Sequence, residues 1–88
     1  MATQKTISIT EDWQSLNDLS GAAIGTQIDA QVSRGRGVKV ATSTTTPDST
    51  IEGFQFGVGK FFRSEPGASE CWVRASVDGD LGKLEVEY

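Results

Sequence analysis

The sequence predicts an all-β domain, a small antiparallel β-sandwich or barrel of six to seven strands with one short helical turn near residues 11–20. Three observations support this. Apolar residues alternate with polar ones at period two through most of the chain, as half-buried strands require. Turn-forming residues recur about every 8–12 positions, the spacing of sandwiches and barrels rather than of βαβ units. Only one stretch has helical spacing: Trp13, Leu16 and Leu19 at i, i+3 and i+6.

The elements follow in order. Residues 3–10 place Ile7 and Ile9 on one face and Thr6, Ser8 and Thr10 on the other. Thr10 can cap the helical turn, Glu11 and Asp12 suit its first residues, and Ser20-Gly21 stops it, with Trp13 expected over one end of the core. Ile28, Ala30 and Val32 then alternate with Gln27, Asp29 and Gln31. Arg34-Gly35-Arg36-Gly37 reads as a tight connection, so residues 26–33 and 38–43 are expected to form a hairpin. Residues 41–50 are a polar loop ending in a Pro47-Asp48 turn signal. Phe54, Phe56 and Val58 form the heavy apolar face of the next strand, and strand pleat requires Phe61 and Phe62 to point to opposite sides. Pro66-Gly67 and Asp78-Gly79-Asp80 are turns flanking a strand in which Cys71, Val73, Ala75 and Val77 alternate with Trp72, Arg74 and Ser76. The last strand puts Leu84, Val86 and Tyr88 inward and Lys83, Glu85 and Glu87 outward.

The chain has 88 residues, one Cys, two Pro, no His, and 12 acidic against 8 basic side chains, for a net charge of −4. Area scaling gives a folded surface of roughly 5,000 Å², enough for one marginal core. Its organisation reads as an N-terminal strand or arm over 1–10 and a single β domain over 11–88. Without His there is no imidazole for acid–base work, no Ser-His or Cys-His pair and no His-bearing zinc site. One thiol permits no internal disulfide and fits synthesis in a cytoplasm. The apolar runs are too short to span a membrane, and the acidic balance opposes a dedicated nucleic-acid binder.

Several short motifs resolve into turns and faces. Gly57-Val58-Gly59-Lys60 lacks the leading glycine, the following hydroxyl residue and the helix of a phosphate loop. Arg34-Gly-Arg-Gly is a single copy between amphipathic strands, not an RNA-binding tract. Asp78-Gly-Asp80 lacks the downstream ligands of a calcium loop. Glu85 and Glu87 share the outward face of the last strand, a solvated face rather than an acid–base pair. Cys71 belongs to the inward set. The expectation is therefore no enzyme: no catalytic residue, no cofactor and no metal ligand. What remains is a set of contact candidates, Ile7, Ile9, Trp13, Phe61, Phe62, Trp72 and Arg74, because exposed aromatics beside Arg are enriched at interfaces.

A Trp-x-x-Leu element leads into TQIDAQVSRGRGVKVATSTTTPDSTIEGFQFGVGKFF, and the chain closes on CWVRASVDGDLGKLEVEY. In this order the pieces resemble the small β-rich virion proteins of tailed bacteriophages over roughly residues 5–87. Gln31, Val38, Val40, Ser43, Pro47, Gly53 and Phe54 match that pattern in the middle of the chain. Trp72, Val73, Arg74, Ser76, Gly82, Leu84 and Val86 match it near the end. The Thr-rich loop 42–46 and the Phe61-Phe62 pair depart from it. The resemblance implies a capsid decoration or cement protein that binds and stabilises the phage head. It further implies a virion location, assembly in a bacterial host cytoplasm, contact with the major capsid protein or another virion protein, and self-association as a trimer. In that setting residues 3–10 are an arm reaching a neighbour. The alternatives are a tail or fibre accessory domain, a protein inhibitor, or an oligosaccharide binder with Trp72 and Phe62 as stacking platforms.

Overall fold

A computed structural model describes residues 3–48, 50–64, 70–77 and 81–88. Eight strands and one helix follow in the order β1 (Gln4–Ile9), β2 (Gln14–Ser15), α1 (Leu16–Ser20), β3 (Asp29–Arg34), β4 (Val38–Thr42), β5 (Phe54–Phe56), β6 (Phe61–Arg63), β7 (Cys71–Ala75) and β8 (Gly82–Glu87). They form two antiparallel four-stranded sheets: sheet A, in the order β1-β8-β3-β6, and sheet B, in the order β2-β7-β4-β5. The all-β class is as the alternation predicts. The turns expected at Pro66-Gly67 and Asp78-Gly79-Asp80 lie outside the described residues.

One core lies between the sheets. Sheet A contributes Ile7, Ile9, Ala30, Val32, Phe62, Leu84 and Val86; sheet B contributes Val38, Val40, Cys71 and Val73. Leu16, Ala22 and Ile28 close one end. The molecule exposes 5046 Å², close to the area expected of a chain this size. No helix among the described residues is long and apolar enough to cross a membrane.

Four expectations need correction. The first is the hairpin of 26–33 with 38–43. β3 lies in sheet A and β4 in sheet B, so 34–37 is an arch that crosses between layers. Alternation cannot separate the two arrangements, because both bury Val32 and Val38; here the two enter the core from different sheets instead of sharing a face. The register of β3 on β8 shifts between Val32 and Arg34, which turns the chain off sheet A. Gly37, at φ 129°, then brings it onto β5 so closely that a Cβ would sit 2.7 Å from the Phe56 carbonyl. Only glycine fits there.

The second correction concerns the helical turn. Its cap is Ser15, whose Oγ accepts the Asp18 amide at 3.1 Å, not Thr10. Residues 14–15 are extended and pair with Trp72 and Val73, which puts Trp13 outside the helix. The stop at Ser20-Gly21 is as expected, with the Gly21 N–H returning to the Asn17 carbonyl at 2.8 Å.

Third, the Phe54-Phe56-Val58 face is mostly uncovered. β5 is the edge of sheet B, and nothing in sheet A reaches beyond β6 to cover Phe54. Only Phe56 tucks in, stacking on Phe62 at 5.1 Å between ring centroids. Fourth, residues 1–10 as an arm disagree with the fold: Gln4–Ile9 pairs along its length with β8, and Ile7 and Ile9 are core residues. Removing this stretch would delete a strand and two core side chains, not a free extension.

Candidate functional surfaces

The seven contact candidates separate into three places. Ile7, Ile9 and Phe62 are buried in the core and present nothing to a partner. A stacking platform on Phe62 is thereby ruled out. Phe61 is the outward ring of the pair and is 70% exposed. Trp13, Trp72 and Arg74 come together on the outer face of sheet B, all half-buried.

Register explains that third grouping. On β7 the inward positions are Cys71, Val73 and Ala75, so Trp72 and Arg74 point out. β2 pairs Gln14 with Val73, and continuing the ladder by one residue sets Trp13 beside Arg74 on the same face. The Arg74 guanidinium lies 5.6 Å from the centroid of the Trp13 ring. The indole extends across the sheet to Gly53, where an added Cβ would stand 3.2 Å from Trp13 Cη2. Trp13 therefore covers the outside of sheet B, not an end of the core. Trp72 is anchored by its Nε1–H, which donates to the Ser43 carbonyl at 3.1 Å. Lys39, next to Arg74 across the ladder, pairs with Glu52 at 3.0 Å. This face is a packed aromatic–cation layer whose rings are largely spoken for within the chain.

The opposite flank is different. β5 and β6 are the neighbouring edges of the two sheets, joined by the Phe56–Phe62 stack. Along this flank Phe54 is 77% exposed, Val58 58% and Phe61 70%. The turn between the strands is pinned from sheet A: Gly59 N–H donates to the Val32 carbonyl at 2.7 Å, and Val32 N–H to the Lys60 carbonyl at 3.0 Å. Sequence alternation hid this surface by assigning Phe54 and Val58 to the core. The signal available was the shortness of the β5 run, broken by Gly57 and Gly59, which marks an edge.

Phe61 also borders a groove of about 610 Å³ on the outer face of sheet A. Register builds its floor in two rows, Gln4–Glu87–Asp29–Arg63 and Thr6–Glu85–Gln31–Phe61. Arg63 Nε donates to Asp29 Oδ1 at 2.6 Å, and the Thr6 hydroxyl bonds Glu85. Asp29, Glu85 and Glu87 make the groove acidic against the one guanidinium of Arg63. No family model, curated protein or solved structure matches the chain.

Among the described residues no group of Cys, Asp and Glu side chains is placed to hold a metal ion. The Cys71 thiol is buried, and burial pushes it up to about 11, where it is a poor nucleophile at neutral pH. Sequence reasoning missed the polar group that fixes this region. Asn17, buried in α1, accepts the Cys71 amide on Oδ1 at 3.0 Å and donates from Nδ2 to the Ala23 carbonyl at 3.1 Å. The Ser15 hydroxyl bonds Glu70 beside it. An Asn one position past the first apolar residue of a short helix carries no signal of burial in the sequence.

Proposed function

We propose that the chain is a structural virion protein, a decoration or cement protein that binds a phage head through the β5–β6 flank. The observation that carries the reading is that Phe54, Val58 and Phe61, on β5, the turn after it and β6, are each more than half exposed. Isolated exposed apolar residues are ordinary, whereas three large ones along one β5–β6 segment, two of them aromatic, have the composition of a protein contact site. The resemblance of residues 5–87 to small phage virion proteins supplies the class of partner, a major capsid protein or another virion protein. A contact protein repeated over a shell stabilises it by mass action, because it binds the assembled state and not the dissociated one.

The test is cosedimentation of the purified chain with purified, DNA-free heads of tailed phages, beside a Phe54→Ser/Phe61→Ser variant. Both rings are exposed, so the variant keeps its circular dichroism spectrum and loses at least tenfold in head affinity. Absence of saturable binding to any head, or equal binding by the variant, would overturn the proposal.

A further inference from the structure

The two sheets have four lateral edges, and they are not equivalent. β2 is two residues long, and β5 and β6 are three each, but β1 is six. Short edge strands are one means by which sheets avoid pairing with other chains, and β1 does not use it.

The hydrogen-bond phase of β1 shows what its free side offers. Thr3 and Tyr88 exchange both backbone bonds, at 2.6 and 3.0 Å. An antiparallel ladder alternates bonded with non-bonded pairs, so Lys5, Ile7 and Ile9 face β8, while Gln4, Thr6 and Ser8 direct their N–H and C=O groups off the sheet. Outside the ladder, no backbone bond among the described residues takes up these six groups. Gln4, Thr6 and Ser8 are exposed and uncharged, and the strand contains neither Pro nor Gly. Its single charge, Lys5, lies on the inner face and is held back in its own protomer. Lys5 Nζ donates to the Ser20 carbonyl at 2.7 Å and sits 5.9 Å from the Tyr88 ring centroid. The guard that usually protects an edge is therefore turned away from it.

We propose that β1 is a pairing edge for a second copy of this chain, joined antiparallel about a two-fold axis at Thr6. The occupant follows from self-complementarity. About that axis Gln4 meets Ser8 of the second copy, and Thr6 meets its own equivalent. Lys5 comes beside Ile7, so no two like charges are set opposite although each copy carries −4. These six outward groups of each copy satisfy one another, and two four-stranded sheets become one of eight strands, β6-β3-β8-β1-β1-β8-β3-β6. The pairing is isologous and closes at two, which differs from the trimer implied by the virion resemblance. It does not depend on the head-binding reading, since it uses the flank opposite β5 and β6.

The experiment is sedimentation equilibrium of the full chain from 1 to 300 µM, with amide hydrogen exchange at both ends of that range. A monomer–dimer equilibrium is expected, with the Thr6 and Ser8 amides protected only where dimer predominates. Thr6→Pro removes one outward N–H without breaking a β1–β8 bond, and Thr6→Lys sets two ammonium groups together at the axis. Each raises the dimer dissociation constant at least tenfold. Thr6→Lys leaves the backbone unaltered, so it gives the reading if the proline variant does not fold. A monomer at every concentration, as when the edge serves an unrelated extended segment, overturns the proposal. A trimer, a dimer of unchanged affinity in Thr6→Lys, or a parent dimer whose Thr6 amide stays unprotected also overturns it.

Discussion

Asn17 gives the sharpest test of how this fold is held together. Its carboxamide connects α1 to the first residue of β7 and to the loop after the helix, and it is 5% exposed. Asn17→Leu keeps the branched shape but leaves the buried Cys71 N–H without its partner, whereas Ala23, at an exposed position, still accepts the Thr26 N–H on its carbonyl at 3.0 Å. One buried polar group left unsatisfied costs about 1–3 kcal/mol, so the net cost is about 2 kcal/mol. A domain of this length has a total stability of roughly 4–13 kcal/mol, so the loss is a sizeable share of it. At about 4–8 °C per kcal/mol, Tm falls by roughly 8–16 °C. The assay is urea unfolding followed by tryptophan fluorescence and far-ultraviolet circular dichroism, with Asp18→Ala, at an exposed neighbouring position, as the control expected within about 0.5 kcal/mol. A variant within 0.5 kcal/mol of the parent, at unchanged dependence on urea, would refute the reasoning. The Cys71 N–H would then have found another partner at little cost.

Two further predictions address the core and the outer face of sheet B. The Cys71 thiol titrates near 9.0 when unfolded and at about 11 when folded. In that interval the folded chain binds more protons, and stability falls as pH rises from about 9 to 11, by up to about 3 kcal/mol. Chemical denaturation across that range should show this extra loss in the parent relative to Cys71→Ala, and parallel profiles would contradict it. At Gly53, with φ +70°, a Cβ would stand 2.6 Å from the Val40 carbonyl and 3.2 Å from Trp13 Cη2. Gly53→Ala should therefore cost about 2–3 kcal/mol and change the emission of Trp13, since left-handed backbone and a backbone clash both oppose it; equal stability would show that the 50–54 segment rearranges freely.

Period-two alternation made the strands legible because it reports which face is buried. It carries no information on which strand is the neighbour. That is why the inward faces of Ile28–Val32 and Val38–Val40 follow from alternation, whereas the arch that connects them, instead of a hairpin, does not. Phe61 and Phe62 show the rule working where both sides of the pleat are occupied: one ring is outside and the other in. Phe54 shows where it stops. Its partner across the ladder is Val40, and both lie on the inner face of sheet B, yet Val40 is 9% exposed and Phe54 77%. The difference is lateral position in the sheet, a long-range property set by the order β2-β7-β4-β5. Asn17 was invisible for a related reason, since its two partners are 6 and 54 residues away.

Lateral position also relates the two proposed contacts to each other. β1 and β6 are opposite edges of sheet A, and β2 and β5 are opposite edges of sheet B. A two-fold pairing at β1 therefore leaves the β5–β6 flank of each copy at a far end of the joined sheet, facing away from the axis. Such a dimer presents two identical apolar flanks and can bridge two sites on a repeated lattice. Once one flank is seated, the second binds at an effective concentration set by a rigid eight-stranded sheet and not by free diffusion. A modest contact at Phe54, Val58 and Phe61 would then suffice, because the gain comes from joining two of them. A trimer built on the same flank would bury those side chains in self-association and leave none for a shell. The location of the exposed aromatics thus favours pairing through the polar edge and binding through the apolar one.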